Sequence, residues 1–215
     1  MNTSVHSTAR LLGAGLRALL VLTVVCGVIY PLVVTGIAQA AFHDKANGSE
    51  IKAGGKSVGS EHLGQSYNLD KKDKDGNPLA DPKFFQPRPS AAGPNAENTQ
   101  YKLIVSGASN LAADSKTLLD AVEQRRTDVA AFNRVSPSAV PVDALTASAS
   151  GLDPDISPAY ARLQAKRVAE ANGLPAGKVQ KLVEDHVDGR ILGFVGEERV
   201  NVLKLNIALQ ELAKK

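Results

Sequence analysis

From residue 18 to residue 42, ALLVLTVVCGVIYPLVVTGIAQAAF, the chain carries no charged side chain. A helix rising about 1.5 Å per residue over this stretch exceeds the roughly 30 Å hydrocarbon core of a bilayer. Residues 18–41 are therefore read as a transmembrane helix. Residues 1–17 form a tail before it, residues 42–56 a polar linker, and residues 57–215 a folded domain. Pro31 removes one backbone hydrogen bond, which membrane helices tolerate where neighbours supply partners. Polar Thr23, Thr35 and Gln39 and small Gly27 and Gly36 suit packing against other helices.

A cleaved signal peptide is the competing reading. Arg10 and Arg17 would be its basic region, and AQA at residues 38–40 its small-x-small site, with cleavage after Ala40. The apolar stretch is longer than the usual core of a signal peptide, which favours a retained anchor. Charge leaves orientation open, because Arg10 and Arg17 precede the span while Lys45, Lys52 and Lys56 follow it. Cys26, the only cysteine, lies inside the span, so no intramolecular disulfide is available. A net charge of +3 without a basic run gives no ground for nucleic acid as a partner.

Beyond the span, aromatic residues are only 4% of the sequence and Trp is absent, so a core must rest on Leu, Val and Ala. Residues 58–63 read as a short strand, and the charged run 68–82, NLDKKDKDGNPLADP, as a surface loop. Its Asp73, Asp75 and Gly76 invite comparison with a calcium loop. The first and twelfth ligand positions would then be Lys71 and Pro82, which excludes an EF-hand. FFQPRPS at residues 84–90 is stiffened by its prolines; it reads as a rigid loop whose phenylalanines plug the core, the alternative being a docking surface. Helices are expected at 115–132, 157–172 and 176–187, the second capped by Ser157, started by Pro158 and stopped at Gly173. Residues 191–195 suit a strand. Residues 200–212 mix strand alternation with helical spacing. Several helices with few strands make a small α+β domain.

No autonomous catalytic site emerges. TASASGLDPDISP, residues 146–158, lacks the second glycine and the lysine of a phosphate-binding loop. The surroundings of Ser109 and Ser150 both miss the Gly-x-Ser-x-Gly nucleophile elbow. His6, His43, His62 and His186 are scattered, so no metal site is expected. The residues 150–158 are read as architecture. Gly151 supplies an unusual backbone conformation, Asp153 and Ser157 accept from backbone N–H groups, and Pro158 opens a helix.

A series of motifs occurs in a fixed order: YPLVVTGIAQ (30–39), GSEHLGQ (59–65), RPSA (88–91), SGASNL (106–111), VPVD (140–143), LTAS (145–148), SGLDP (150–154), ISP (156–158), GFVG (193–196) and RVNVL (199–203). In this the chain closely resembles the C subunit of the Kdp-type bacterial potassium-transporting ATPase. It departs where Asp155 follows Asp-Pro in place of a common histidine, and where Leu111-Ala-Ala-Asp lacks a frequent proline. The resemblance implies a non-catalytic accessory subunit in the bacterial inner membrane, single-pass, with a cytoplasmic N-terminus and an extracytoplasmic domain. The implied partners are a channel-like potassium-binding subunit and a P-type ATPase subunit whose affinity for ATP it raises. ATP then belongs to the complex, potassium is the transported ion, and no cofactor is held firmly by this chain. The resemblance marks Tyr30, Pro31, Thr35, Gly36 and Gln39 as candidate contacts to partners in the membrane. It also singles out Arg88, Ser106, Ser109, Asn110, Asp143, Thr146, Ser148, Ser150, Gly151, Asp153, Arg199 and Asn201 as motif residues.

Overall fold

A computed structural model describes residues 3–74, 76–90, 97–98, 103–104 and 106–214. Asp75 and Ala91, named above in motifs, lie outside them. The chain divides between residues 49 and 50 into two compact units.

The first unit is helical: α1 (Thr3–Val24), a π turn (Val25–Ile29), α2 (Tyr30–Ala41) and the single turn α3 (His43–Ala46). The π turn has a local cause. Pro31 has no N–H and its ring crowds the carbonyl four residues back, at Gly27. Widening the helix relieves that crowding, and Tyr30 N–H then reaches the carbonyl of Val25, five residues back. Residues 6–41 are long and apolar enough to cross a membrane. Their leucines, valines and isoleucines face outward along the helix, so lipid or protein must cover them.

The second unit mixes helices with short antiparallel strands. Strands β1 (Glu50–Ala53) and β2 (Lys56–Ser60) form a hairpin. Its turn is Gly54-Gly55 with φ of 57° and 78°, a pair of left-handed residues that matches the twist of the flanking strands. Residues 50–56 thus belong to a hairpin and not to the linker expected over 42–56. The run 68–82, expected as a loop, contains a second hairpin, β3 (Asn68–Lys72) with β4 (Pro78–Ala80). Its charged side chains are exposed on both faces, so the polar-face alternation that marks a strand is missing. Strands β5 (Glu97–Asn98) and β6 (Leu103–Ile104) also pair.

Three longer helices follow: α4 (Lys116–Asn133), α5 (Pro158–Asn172) and α6 (Ala176–Glu184). Gly173 closes α5 with φ of 65°, and its N–H bonds back to Ala169 and Glu170 carbonyls. Helix α6 stops three residues before the expected end because Val187 enters a sheet. Strand β9 (Arg199–Asn201) lies between β7 (Asp155–Ile156) and β8 (Val187–Asp188), both antiparallel to it. The expected strand at 191–195 is instead a tight loop closed by one bridge between Ile191 and Val195. The ambiguity at 200–212 resolves into both answers. β9 ends at Asn201, whose side chain accepts from Lys204 N–H and starts α7 (Val202–Ala213).

The core gathers Val, Ala and Leu from α5, α6, α7 and β9, with Phe85 as its largest fully buried side chain. Polar side chains hold the Phe84–Gln86 backbone. Asn206 of α7 receives Phe85 N–H and returns a bond to Phe85 O, both at 2.9 Å. Gln164 of α5 does the same for Gln86, at 2.7 and 3.0 Å. These amides replace a neighbouring strand for a segment whose prolines bar it from a sheet. Arg167 completes the arrangement, donating to Asn133 Oδ1, Gln164 Oε1 and the carbonyls of Pro82 and Phe84. Its guanidinium also lies 4.3 Å from the centre of the Phe132 ring. Burial lowers its pKa to about 10, which leaves it charged at neutral pH.

Candidate functional site

Most of the motif residues, though not Ser109, Asn110, Arg199 and Asn201, converge on the loop that runs from the short helical turn at Val142–Ala144 into α5. At the helix end, Asp143 holds both the N–H and the hydroxyl of Ser157, at 2.8 and 2.9 Å. The Ser157 hydroxyl oxygen accepts from Tyr160 N–H at 3.0 Å, which is the N-cap expected from Ser157-Pro158. Upstream, Gly151 has φ of 71°. Asp153 Oδ1 accepts from Asp155 N–H at 3.1 Å, closing a turn over Pro154.

The RPS segment fastens this loop from the other side. Arg88 Nη1 meets Asp153 Oδ2 at 2.8 Å, and its Nη2 reaches the Thr146 hydroxyl at 3.3 Å. Ser148 N–H donates to Pro89 O at 2.9 Å, and the Ser90 hydroxyl donates to Gly151 O at 2.9 Å. Ser150 O receives two more bonds, from Ser106 Oγ and Gly107 N–H, each 2.9 Å. Gly64 presses against the outer side of the loop. A Cβ there would lie 2.4 Å from Asp153 O, so only glycine fits.

The Ser148 and Ser150 hydroxyls are absorbed by this construction. Ser148 and Ser150 Oγ lie 3.1 Å apart, and they accept from Gly151 and Leu152 N–H respectively. None of these partners is a general base, so the arrangement does not activate a serine. Ser109 and Asn110 are exposed, and among the described residues no hydrogen bond joins them to the loop. Arg199 and Asn201 sit apart on β9, around Asp155. Arg199 Nε is 3.3 Å from Asp155 Oδ2, and Asn201 Nδ2 bonds Asp155 Oδ1 at 3.2 Å and Glu61 O at 3.0 Å. With His62, Pro154 and Asp188 they line a shallow cleft of about 250 Å³. Burial pushes the Asp155 carboxyl above its ordinary pKa, against the opposing pull of Arg199 and Asn201. The Lys204 ammonium, hydrogen-bonded to Glu61, holds that carboxyl below its ordinary value. Among the described residues, no three His, Cys, Asp or Glu side chains gather as metal ligands.

In the helical unit, Tyr30, Pro31, Thr35 and Gly36 are all exposed, and nothing approaches the position a Gly36 Cβ would take. Gln39 exchanges two amide hydrogen bonds with Asn47, each 3.2 Å, tying α2 to the turn after α3.

No sequence motif marks Gln164, Arg167 and Asn206, yet each leaves a signal in the helical pattern. Gln164 and Arg167 interrupt the apolar face formed by Ala161, Ala165 and Val168, and Asn206 interrupts Val202, Leu205 and Leu209. A polar side chain at a core position of a helix needs buried partners, and here these are backbone groups.

The similarity of this chain to known proteins runs along nearly its whole length. The family model described as KdpC: K+-transporting ATPase, c chain, matches residues 12–211. The chain belongs to the KdpC family. A potassium-transporting ATPase KdpC subunit from Streptomyces avermitilis is 59% identical over 99% of this chain and 98% of its own length. The protein of the same description from Mycobacterium tuberculosis is 44% identical over 92% of this chain and 96% of its own. That from Clostridioides difficile is 40% identical, covering 90% and 93% respectively. The KdpC match begins inside α1 and ends inside α7, so it includes both units.

Proposed function

We propose that this chain is a non-catalytic accessory subunit of an ATP-driven potassium uptake complex in the bacterial inner membrane. Its apolar helix crosses the bilayer once, with the N-terminus cytoplasmic and the α+β unit outside. It assembles with a channel-like potassium-binding subunit and a P-type ATPase subunit, and it raises the affinity of the latter for ATP. Potassium is the transported ion, and neither ATP nor a metal resides in this subunit. The observation that carries this reading is the end-to-end similarity to proteins described as potassium-transporting ATPase KdpC subunits. The exposed apolar helix with its π turn supports it, because Pro31 leaves the Gly27 carbonyl without its helical donor.

An extracytoplasmic unit does not touch cytoplasmic ATP. Its effect on ATP affinity is therefore a coupling free energy, transmitted by favouring one conformation of the pump over another. A rigid unit suits that role, since a soft one would absorb the strain. The test is ATP affinity of the purified pump with and without this chain. Unchanged affinity in an assembled complex overturns the coupling role. A second reading, a periplasmic binding module released by cleavage after Ala40, rests on the AQA pattern at residues 38–40. N-terminal sequencing of membrane-extracted protein separates the two, because a mature chain beginning at Ala41 sinks the anchored subunit.

A further inference from the structure

Residues 1–43 contain neither aspartate nor glutamate, and the first acid in the chain, Asp44, lies beyond the far end of the apolar helix. Arg10 and Arg17 of α1 are both exposed, and among the described residues no carboxylate pairs with either. At about 100° per residue, His6, Arg10, Gly13 and Arg17 fall within about 60° of one another around the helix. Leu12, Leu16 and Leu19 share another face. Arg17 is turned back toward the N-terminus, its Nε donating to Gly13 O at 3.4 Å. Gly13 leaves bare backbone there, with nothing within 4 Å of the place a Cβ would take. The Arg17 guanidinium is thereby brought roughly one turn nearer to Arg10, across a gap without a side chain.

We propose that this face binds the headgroup of an anionic phospholipid, with its phosphate held between Arg10 and Arg17. This rests on the reading of residues 18–41 as a membrane-crossing helix. From Thr3 to Ala41 the helix measures about 58 Å at about 1.5 Å per residue, against roughly 30 Å of hydrocarbon. The charge-free stretch that fills the hydrocarbon begins at residue 18. Arg17 therefore stands at its edge, and Arg10 about 10 Å farther out along the helix. That depth is the phosphate layer, and a guanidinium fork gives a phosphate two parallel hydrogen bonds. The lack of an acid nearby decides the lipid class. A zwitterionic headgroup brings a cation of its own, which two uncompensated arginines repel, whereas a headgroup of net negative charge cancels them. The apolar stretch is longer than the hydrocarbon is thick, so the helix tilts. A tilt that sinks Leu12 and Leu16 toward the acyl chains lifts the arginine face toward the headgroups.

The chain has no Trp, so a single Val21→Trp reporter, one turn below Arg17 on the same face, reads the lipid beside the site. The full chain carrying it is placed in mixed phosphatidylcholine and phosphatidylglycerol vesicles, with brominated acyl chains on one lipid or the other. Fluorescence quenching should show phosphatidylglycerol favoured about three-fold or more at the reporter. Arg10→Gln combined with Arg17→Gln should abolish the preference. Arg10→Gln combined with Leu12→Arg keeps the net charge but moves one cation off the face, and should lower the preference nearly as far. Equal quenching by the two lipids in the parent overturns the site, as does a preference that survives the double glutamine change. A preference that survives the charge-neutral pair also overturns it, because net charge alone would then be the attraction. Extraction of the parent from the vesicles at alkaline pH overturns the membrane-crossing reading itself, and the two failures are thereby distinguishable.

Discussion

Asn206 meets the backbone of Phe85 twice across 121 residues of sequence, accepting from its N–H and donating to its carbonyl at 2.9 Å each. One side-chain amide thus stands in for a neighbouring strand. It holds the phenylalanine at the centre of a core that is otherwise small aliphatics.

Asn206→Leu should therefore cost more than the loss of two ordinary hydrogen bonds. It leaves a buried N–H and a buried carbonyl unpaired, at about 1–3 kcal/mol for each group. The expected loss is about 2–6 kcal/mol of unfolding free energy, measured by denaturant titration of the detergent-solubilised chain followed by circular dichroism. A variant within about 0.5 kcal/mol of wild type would mean that the strap is not held in this way.

Arg167→Lys tests the neighbouring hub. Arg167 serves four acceptors and stacks on Phe132, a planar fork geometry that an ammonium cannot reproduce. Breaking a satisfied buried network of this kind is expected to cost about 3 kcal/mol. The charge is preserved, so an equal stability in the same assay would show that charge, not geometry, is what the site requires.

Parts of this structure could be read directly from the chain because they are local. The apolar helix, the Ser157-Pro158 start and Gly173 stop of α5, and the helical face of α6 each depend on neighbours within a turn or two. What could not be read depends on distant partners. The β3–β4 hairpin is exposed on both faces, so no alternation marks it, and α6 ends early because Val187 is taken by β9. The motif loop shows the same division. Asp153 and Ser157 act as the local turn chemistry of Asx-Pro and Ser-Pro implies. The Arg88 clamp and the Asp143 anchor join segments 65 and 14 residues apart, which no spacing rule reveals.

Ser157→Ala removes the cap on Tyr160 N–H and one of the two Asp143 bonds. The domain should lose about 1 kcal/mol, the usual scale for an N-cap. Potassium transport and ATP affinity should be nearly unchanged in complexes that still assemble. An unaltered melting temperature with a many-fold loss of ATP affinity would instead make this turn a functional contact.

Gly64→Ala places a methyl group 2.4 Å from Asp153 O, closer than any real contact, and the obstacle is backbone. The motif loop must shift, loosening the pair between Arg88 and Asp153. Overpacking of this kind costs about 1–3 kcal/mol. Combining Gly64→Ala with Asp153→Ala should cost clearly less than the sum of the two single changes, because the first already weakens what the second removes. Strict additivity would show that the glycine and the ion pair are independent.

Asp155 should reveal itself through pH. Burial raises its carboxyl above the ordinary value of 3.8, so the native state takes up a proton at a higher pH than the unfolded chain does. Between those two values the native state binds more protons, and stability falls as pH rises through the window. Above the window the charged, half-buried carboxylate remains a constant penalty. Asp155→Asn removes that penalty and keeps an oxygen to receive Asn201 Nδ2. The variant should therefore be more stable than wild type at pH 7, with the advantage shrinking as pH falls through the native pKa of Asp155. Paired denaturation curves at pH 7 and pH 4 measure the difference. A variant less stable than wild type at pH 7 would mean that the attraction to Arg199, 3.3 Å away, outweighs the desolvation of the carboxylate.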